Sequence, residues 1–280
     1  MARIGYPERD EWLHDFDPAR LESQSYKRIL KQRYDIFSFW QRFPDTVPRY
    51  GYFMEWDNVA VLEIRTFQDW WQSIDRKTRN MVRKAEKSGV VVREVVPDDK
   101  FWSGIVEIYN ETPIRQGKPF RHFGKNFADV KAKFEPWIPQ STFIGAYYGH
   151  ELIGFIQMLH CDKYTLMSQI LSKIKYLSKA PNNAMIAKAV EICSNRGVKY
   201  LIYAKMSGGS LGQFKRNNGF IERHVPRYYI PLTLKGKIIL FLHLHHGIRG
   251  IIPKQIKDKL RLIRKRYFET VLKSSKQSHS

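Results

Sequence analysis

The residues best suited to chemistry fall in a few short stretches. Arg115, Lys118, Arg121 and His122 belong to one segment, RQGKPFRHFGK, that is rich in glycine and positive charge. Loops of this kind commonly line clefts, and a guanidinium there can clamp an acceptor carboxylate or phosphate through two parallel hydrogen bonds. Glu111 stands just upstream. It is the carboxylate best placed to act as a general base, or else it caps its own helix end or pairs with Arg115. Lys173, Lys175 and Lys179 precede Pro181, and Asn182 and Asn183 follow it. Proline suits the first position of a helix, so Asn182 and Asn183 offer backbone N–H groups to an anion at a helix start. The three lysines could hold phosphates by side chain. Gln157 and Gln169 interrupt apolar strands, so each faces a cleft or a partner across a sheet. Arg227, in a late strand, could reach a phosphate or an acceptor.

Other candidates carry less. His243, His245 and His246 suggest a metal, but no Cys or carboxylate lies nearby in the sequence and zinc needs three or four convergent ligands. No metal is expected there. Cys161 and Cys193 are the only cysteines, too few for a disulfide framework or a Cys-rich zinc site. Cys193 reads as a small buried apolar residue.

The elements that must position these residues follow from periodicity. Segment 1–50 reads as short elements wrapping a larger body. Tyr52–Arg65 reads as a strand pair turning at Asp57-Asn58, and Asp69–Lys87 as one helix closed at Gly89. Val90–Val96 is strand-like, Phe101–Thr112 helical up to Pro113, and Phe127–Phe134 helical. From Thr142 the pattern sharpens. Strands over Thr142–Tyr148, Glu151–His160 and Tyr164–Ser172 precede a helix over Pro181–Asn195. A strand at Lys199–Ala204, a helix at Ser210–Asn217 and a strand at Phe220–Leu232 complete the order β-β-β-α-β-α-β. The expected organisation is a wrapping segment (1–50), a contracted half (51–135), a complete half (136–232) and a basic extension (233–280).

That order is the strand–helix order of the GNAT acyltransferase superfamily, and four segments resemble one branch of it. Arg79–Val90 (RNMVRKAEKSGV) is similar to the basic helix preceding the catalytic half of Fem-type aminoacyl transferases and related envelope-polysaccharide acetyltransferase-like domains. Thr112–Phe120 (TPIRQGKPF) resembles their Thr-x-x-Arg-x-Gly loop, and Ala180–Ile186 (APNNAMI) the helix start after their bulged strand. Tyr203–Phe220 (YAKMSGGSLGQFKRNNGF) is similar to their Leu-x-x-Phe-Lys-x-x-x-Gly-Phe signature. The resemblance covers roughly 60–232. It implies an α+β GNAT fold: a mixed, mostly antiparallel sheet flanked by helices, with a complete C-terminal half and a contracted N-terminal one.

The resemblance also implies an activity. An acyl or aminoacyl group would pass from acyl-coenzyme A or aminoacyl-tRNA, used as substrate rather than as a tightly held cofactor, to an amine or hydroxyl. The acceptor would be an envelope peptide, a sugar or a lipid-linked precursor. Lys215 matches the family's Phe-Lys, whose ammonium lies beside the donor phosphate and reacting carbonyl and would stabilise the oxyanion. Tyr203 would donate a proton to the leaving group. The Gly-rich pyrophosphate turn of ordinary GNAT enzymes is absent before Pro181.

Charge supplies the competing reading. The 280 residues include 48 Lys and Arg against 27 Asp and Glu, a net +21, with 43% apolar and 14% aromatic residues. Such a chain can bury a core and favours polyanionic partners. Twelve Lys and Arg and two acidic residues fall in 233–280, so ten of the charges sit there. A helix opening at Pro253 would show Lys254–Arg266 as a basic face for an anionic membrane surface. The helix 76–87 is also basic. A non-catalytic nucleic-acid- or membrane-binding protein on a degenerate GNAT scaffold is thus the alternative; no DNA-reading motif is present. The opening residues carry no apolar signal core, which points to a cytoplasmic protein, at most peripheral to the membrane.

Overall fold

A computed structural model describes residues 2–7 and 15–247. The helix expected from Pro253, the Lys254–Arg266 face and the polar tail lie outside the described residues.

The chain-order elements begin with β1 (Ile4–Gly5), α1 (Gln24–Arg33), β2 (Ile36–Trp40) and β3 (Phe53–Glu63). Next come α2 (Phe67–Ser73), α3 (Arg76–Lys87), β4 (Val90–Val95), α4 (Asp99–Asn110), β5 (Ile114–Arg115), β6 (Lys118–Pro119) and α5 (Phe127–Phe134). The last group is β7 (Ser141–Tyr148), β8 (Glu151–His160), β9 (Thr165–Ser172), α6 (Pro181–Asn195), β10 (Tyr200–Ile202), α7 (Gly209–Asn217), β11 (Ile221–Pro231) and α8 (Leu234–Phe241).

Nine strands form one sheet in the order β1-β2-β11-β3-β10-β9-β8-β7-β4. Among the described residues only β1–β2 and β9–β10 pair in parallel. The segments interleave: β3 lies between β11 and β10, β4 closes the far edge beside β7, and β2 joins through β11. Every residue of β2 is buried, as its unbroken IFSFW run requires of a strand covered on both faces. Helix α6 packs Met185, Ile186, Val190 and Cys193 on one face of the sheet with Trp70, Ile74 and Ala85. On the other face, α4 and α5 bring Phe101, Trp102, Ile105 and Phe134 against Phe143 and Phe155. The sheet is thus the middle layer of three. Among the described residues no helix is long and apolar enough to cross a membrane.

Two expectations change. Asp57-Asn58 does not turn; β3 runs straight through it, with Asp57 opposite Val225 and Asn58 opposite His224 on β11. The Asp57 carboxylate, instead of closing a turn, accepts from Trp40 Nε1 (3.1 Å), Arg227 Nε (3.0 Å) and Lys205 Nζ (2.5 Å). The single helix over Asp69–Lys87 is two. Thr66 caps α2 and Asp75 caps α3, its carboxylate accepting from Thr78 N at 2.6 Å. A Ser-Ile-Asp interruption is an N-cap signal that the apolar spacing obscured. Arg79, within the resemblance, donates to the carbonyls of Trp71 and Ile74 and so closes the end of α2.

Candidate active site

Strands β9 and β10 pair at only two positions, Thr165 with Leu201 and Leu166 with Ile202. Beyond these, β9 continues to Ser172 while the chain after Ile202 stays with β3, Tyr203 N donating to Ala60 O and Ala60 N to Ala204 O, before it turns into α7. One edge of β9 therefore has no strand beside it from Met167 onward, and its backbone groups there are open to a ligand. A bulge adds to this: Gln157 pairs with Gln169 and Met158 with Met167, so the exposed Ser168 is an extra residue in β9. The splay opens a cleft of about 350 Å³. Ile170, Leu171, Ile174, Leu177, Leu211 and Phe214 form its apolar wall, and Arg115, Gln116, Ser172, Asn182, Tyr203 and Ser210 its polar part.

Two helix starts point their first residues into this cleft. In α6, Ala180 at the N-cap has φ 57°, no side chain caps the helix, and no acidic residue lies in the first turn. The first intrahelical bond runs from Ala184 N to Ala180 O, so the N–H groups of Asn182 and Asn183 precede the ladder. Helix α7 likewise begins after Gly208 with no side-chain cap and no acidic first-turn residue, and its Ser210 and Leu211 line the cleft. Uncapped N–H groups and the positive ends of two helix dipoles make the cleft attractive to anions. The approach of α7 depends on Gly212: a Cβ there would meet the Ser207 carbonyl oxygen at 1.7 Å.

Tyr203 lines the cleft just after β10, and Lys215 of α7 lies behind it. The Lys215 side chain is almost fully buried, at 2% exposed. Its ammonium donates to the carbonyls of Tyr203 and Lys205, each at 2.7 Å, and stands 4.1 Å from the Tyr203 ring centre. Burial draws this ammonium down to about 8. Lys215 is not among the residues lining the cleft; it fixes the chain that presents Tyr203. The Tyr203 hydroxyl makes no hydrogen bond to a described residue, and burial pushes the phenol up.

Arg115 also lines the cleft. It donates to Ser172 O (2.8 Å), Ile108 O (3.1 Å) and Glu111 Oε2 (3.0 Å), tying the end of β9 to α4. Burial lowers its guanidinium and the Glu111 charge partly restores it. Glu111, a candidate base, accepts from the Ile174 and Lys175 N–H groups (2.6 and 3.0 Å) as well as from Arg115. Three donors occupy its oxygens, so it works as a clamp on the chain after β9. Three buried polar atoms around the cleft have no partner among the described residues: Arg115 Nε, Ser172 Oγ and Asn182 Oδ1. Buried unpaired polar atoms are uncommon in stable structures, and their convergence marks a place for a polar ligand.

Several sequence candidates lie elsewhere. Lys173 is buried between Glu107 and Glu151, both at 2.6 Å. Lys175 pairs with Glu151 at 2.8 Å, and Lys179 sits 4.1 Å over the Tyr148 ring. None of the three lines the cleft: carboxylates on neighbouring elements hold two of them, and the third lies over an aromatic face. Asn183 donates to Asn218 Oδ1 at 3.3 Å, leaving only its backbone N–H for a ligand. Gln157 is buried and donates to Ser141 Oγ (3.2 Å), a bond across the sheet. Arg227 is on β11, outside the cleft lining, bound to Asp57 and stacked 4.8 Å over Trp40. Lys118 is exposed on β6, and Arg121 donates to His122 Nε2 at 3.0 Å.

Gln169 belongs to a polar cluster that the sequence did not reveal. It accepts from Tyr109 OH (2.8 Å) and Lys133 Nζ (2.5 Å), and His122 stacks on Tyr109 with ring centres 4.6 Å apart. Burial, with Arg121 adding repulsion, draws Lys133 down to about 8; burial and the nearby cations draw His122 down to about 4. The available signal was spacing: Lys133 falls three residues after the buried Val130, at the edge of the apolar face of α5, from which its ammonium reaches Tyr109 and Gln169.

No protein-family model matches the chain, and no curated protein matches it. Solved structures do share its shape. The crystal structure of FemX superposes with a TM-score of 0.56 at 10% identity, over 80% of this chain and 78% of that one. A conserved protein of unknown function from Bacteroides thetaiotaomicron gives 0.52 at 10% identity, over 78% and 77% of the two chains. The C-terminal DUF2156 domain of a putative lysylphosphatidylglycerol synthetase from Agrobacterium fabrum gives 0.51 at 10%, over 78% and 74%. At such identities the likeness speaks for the fold. Together with the order β7-β8-β9-α6-β10-α7-β11 and the splayed parallel β9–β10 pair, it gives this chain the GNAT fold in its Fem-like form.

Proposed function

We propose that the protein is a GNAT-type acyltransferase that moves an acyl or aminoacyl group from an activated, phosphate-bearing donor to an amine. One observation carries the reading: two uncapped helix starts, the unpaired edge of β9 and an unpartnered tyrosine hydroxyl meet in a single cleft. Phosphate oxygens accept from the N–H groups at the starts of α6 and α7. A linear arm lies along the apolar wall and pairs with the β9 edge as an added strand would. Backbone N–H groups of that edge stabilise the oxyanion when the amine attacks the acyl carbonyl. As the acyl–donor bond breaks, Tyr203 gives its proton to the departing sulfur or oxygen, and the proton released by the attacking amine restores the phenol; Lys215 holds Tyr203 in place.

Acyl-coenzyme A is the donor that best suits a slot between two splayed strands with an apolar wall and helix starts at its polar end. A charged tRNA calls for a cationic track, and the lysines before Pro181 are turned to Glu107, Glu151 and Tyr148 instead. The acceptor enters beside the loop that carries Arg115 and Gln116. The experiment is incubation with radiolabelled acetyl-coenzyme A, and separately with aminoacyl-tRNA, in the presence of a mixed pool of amines. Transfer from acetyl-coenzyme A that is lost in Tyr203→Phe supports the reading. Transfer from aminoacyl-tRNA alone replaces the donor, and turnover of neither overturns the activity.

A further inference from the structure

A second cluster of chemically capable side chains lies apart from the cleft and shares none of its lining residues. Glu55 comes from β3; His245 and His246 follow α8. The carboxylate that His243-Leu-His245-His246 lacks in sequence is supplied from 191 residues away. The Nε2 atoms of His245 and His246 stand 3.0 and 2.6 Å from the two Glu55 oxygens. One ligand atom from each of the three residues lies within 4.8 Å of the others.

His245 is the telling member. Its side chain is 0% exposed and packs against Tyr229, Phe53 and His246 with ring centres 4.6, 5.6 and 4.2 Å away. Neither ring nitrogen has a hydrogen-bond partner among the described residues; Nε2 is near Glu55 but not aligned with it. A buried imidazole with Nδ1 unpaired and Nε2 beside a carboxylate it does not align with is costly, and a metal bond to Nε2 removes the Nε2 part of that cost.

We propose that Glu55, His245 and His246 form a site for a divalent transition metal, with a remaining coordination position facing the adjoining cavity of about 430 Å³. Two imidazoles and one carboxylate, without thiolate, suit zinc and the other borderline divalent ions rather than calcium or magnesium. A tetrahedral centre with bonds of about 2.1 Å sets its ligands about 3.4 Å apart, so from separations of 2.6 Å up to 4.8 Å the ligand atoms need adjust by no more than about 1.4 Å. Glu55 and His246 are partly exposed, at 30% and 51%, and free to make that shift. The cavity is also lined by Asp57, Trp56 and Tyr229, which leaves the open position accessible to water or an exchangeable ligand. A bound ion links β3 to the turn after α8, the last part of the chain described.

The test uses the full chain, stripped with a chelator, dialysed and titrated with Zn²⁺ by calorimetry, with bound metal counted by elemental analysis. The expected result is one zinc per chain, a rise in thermal midpoint, and affinity reduced at least tenfold in both Glu55→Gln and His246→Ala. His224→Ala, at an exposed histidine outside the cluster, leaves binding unchanged. If Glu55→Gln fails to fold, His246→Ala, at a half-exposed side chain, decides alone. Absence of saturable zinc binding overturns the site, as does binding that is indifferent to these substitutions or equally weakened by His224→Ala.

Discussion

The Lys215 ammonium lies 4.1 Å from the centre of the Tyr203 ring and donates to the carbonyl oxygen of that same residue. One buried cation thus holds both the side chain and the backbone of the tyrosine whose hydroxyl is free in the cleft. The relationship separates two roles that the sequence placed together. In the proposed mechanism Tyr203 meets the substrate, and Lys215 positions it.

Tyr203→Phe removes a hydroxyl that makes no hydrogen bond to a described residue. Thermal stability should stay within about 0.5 kcal/mol of the parent, while kcat falls on the order of 100-fold with donor KM little changed. Steady-state kinetics and thermal melts check this; parent-like kcat would remove Tyr203 from the chemistry.

Lys215→Met leaves the carbonyls of Tyr203 and Lys205 without their donor. The expected destabilisation is about 2–4 kcal/mol, read by denaturant unfolding. A fall of activity without loss of stability would instead mark Lys215 as a group that contacts substrate.

Much of this geometry was legible in the sequence, and the exceptions have physical reasons. The strands and helices from 142 to 232 follow the apolar periodicity closely, because each buries one face or both against a neighbour. Arg115 and Tyr203 reach the cleft as their loop and strand-end positions implied. The lysines before Pro181 do not, because Glu107 and Glu151 are brought to them by α4 and β8, and only tertiary structure makes those pairs. Asp57 looked like a turn residue because local spacing cannot show that Arg227 and Lys205 will neutralise it in mid-strand. Glu55 was invisible as a partner for His245 and His246 for the same reason.

Arg115→Lys keeps the charge but loses the planar fork that reaches Ser172 O, Ile108 O and Glu111 together. The end of β9 is then held less firmly, and kcat/KM should fall about tenfold or more. An unchanged kcat/KM would show that the clamp is dispensable.

Glu151 predicts an acid limb. Burial would raise its carboxyl, but hydrogen bonds from Lys173, Lys175 and Tyr176 outweigh it and hold the group at about 2, against 4.5 when unfolded. A lowered carboxyl pKa stabilises the fold above about 4.5, and that contribution is lost as pH falls from there toward about 2. Solvent screening limits it to about 1 kcal/mol. Unfolding curves of Glu151→Gln should show a flatter pH dependence across that window; a slope equal to the parent's would contradict the assignment.

The most direct test of the cleft as the donor site is calorimetric titration of acetyl-coenzyme A into the parent and into Asn182→Asp. A carboxylate in the first turn of α6 favours the helix, by about 0.3–1 kcal/mol, but repels a phosphate from the N–H groups beneath it. Saturable one-to-one binding to the parent and at least tenfold weaker binding to Asn182→Asp, with the protein still folded, are expected. Absence of binding to the parent, or equal affinity in the two proteins, would contradict the cleft as the donor site.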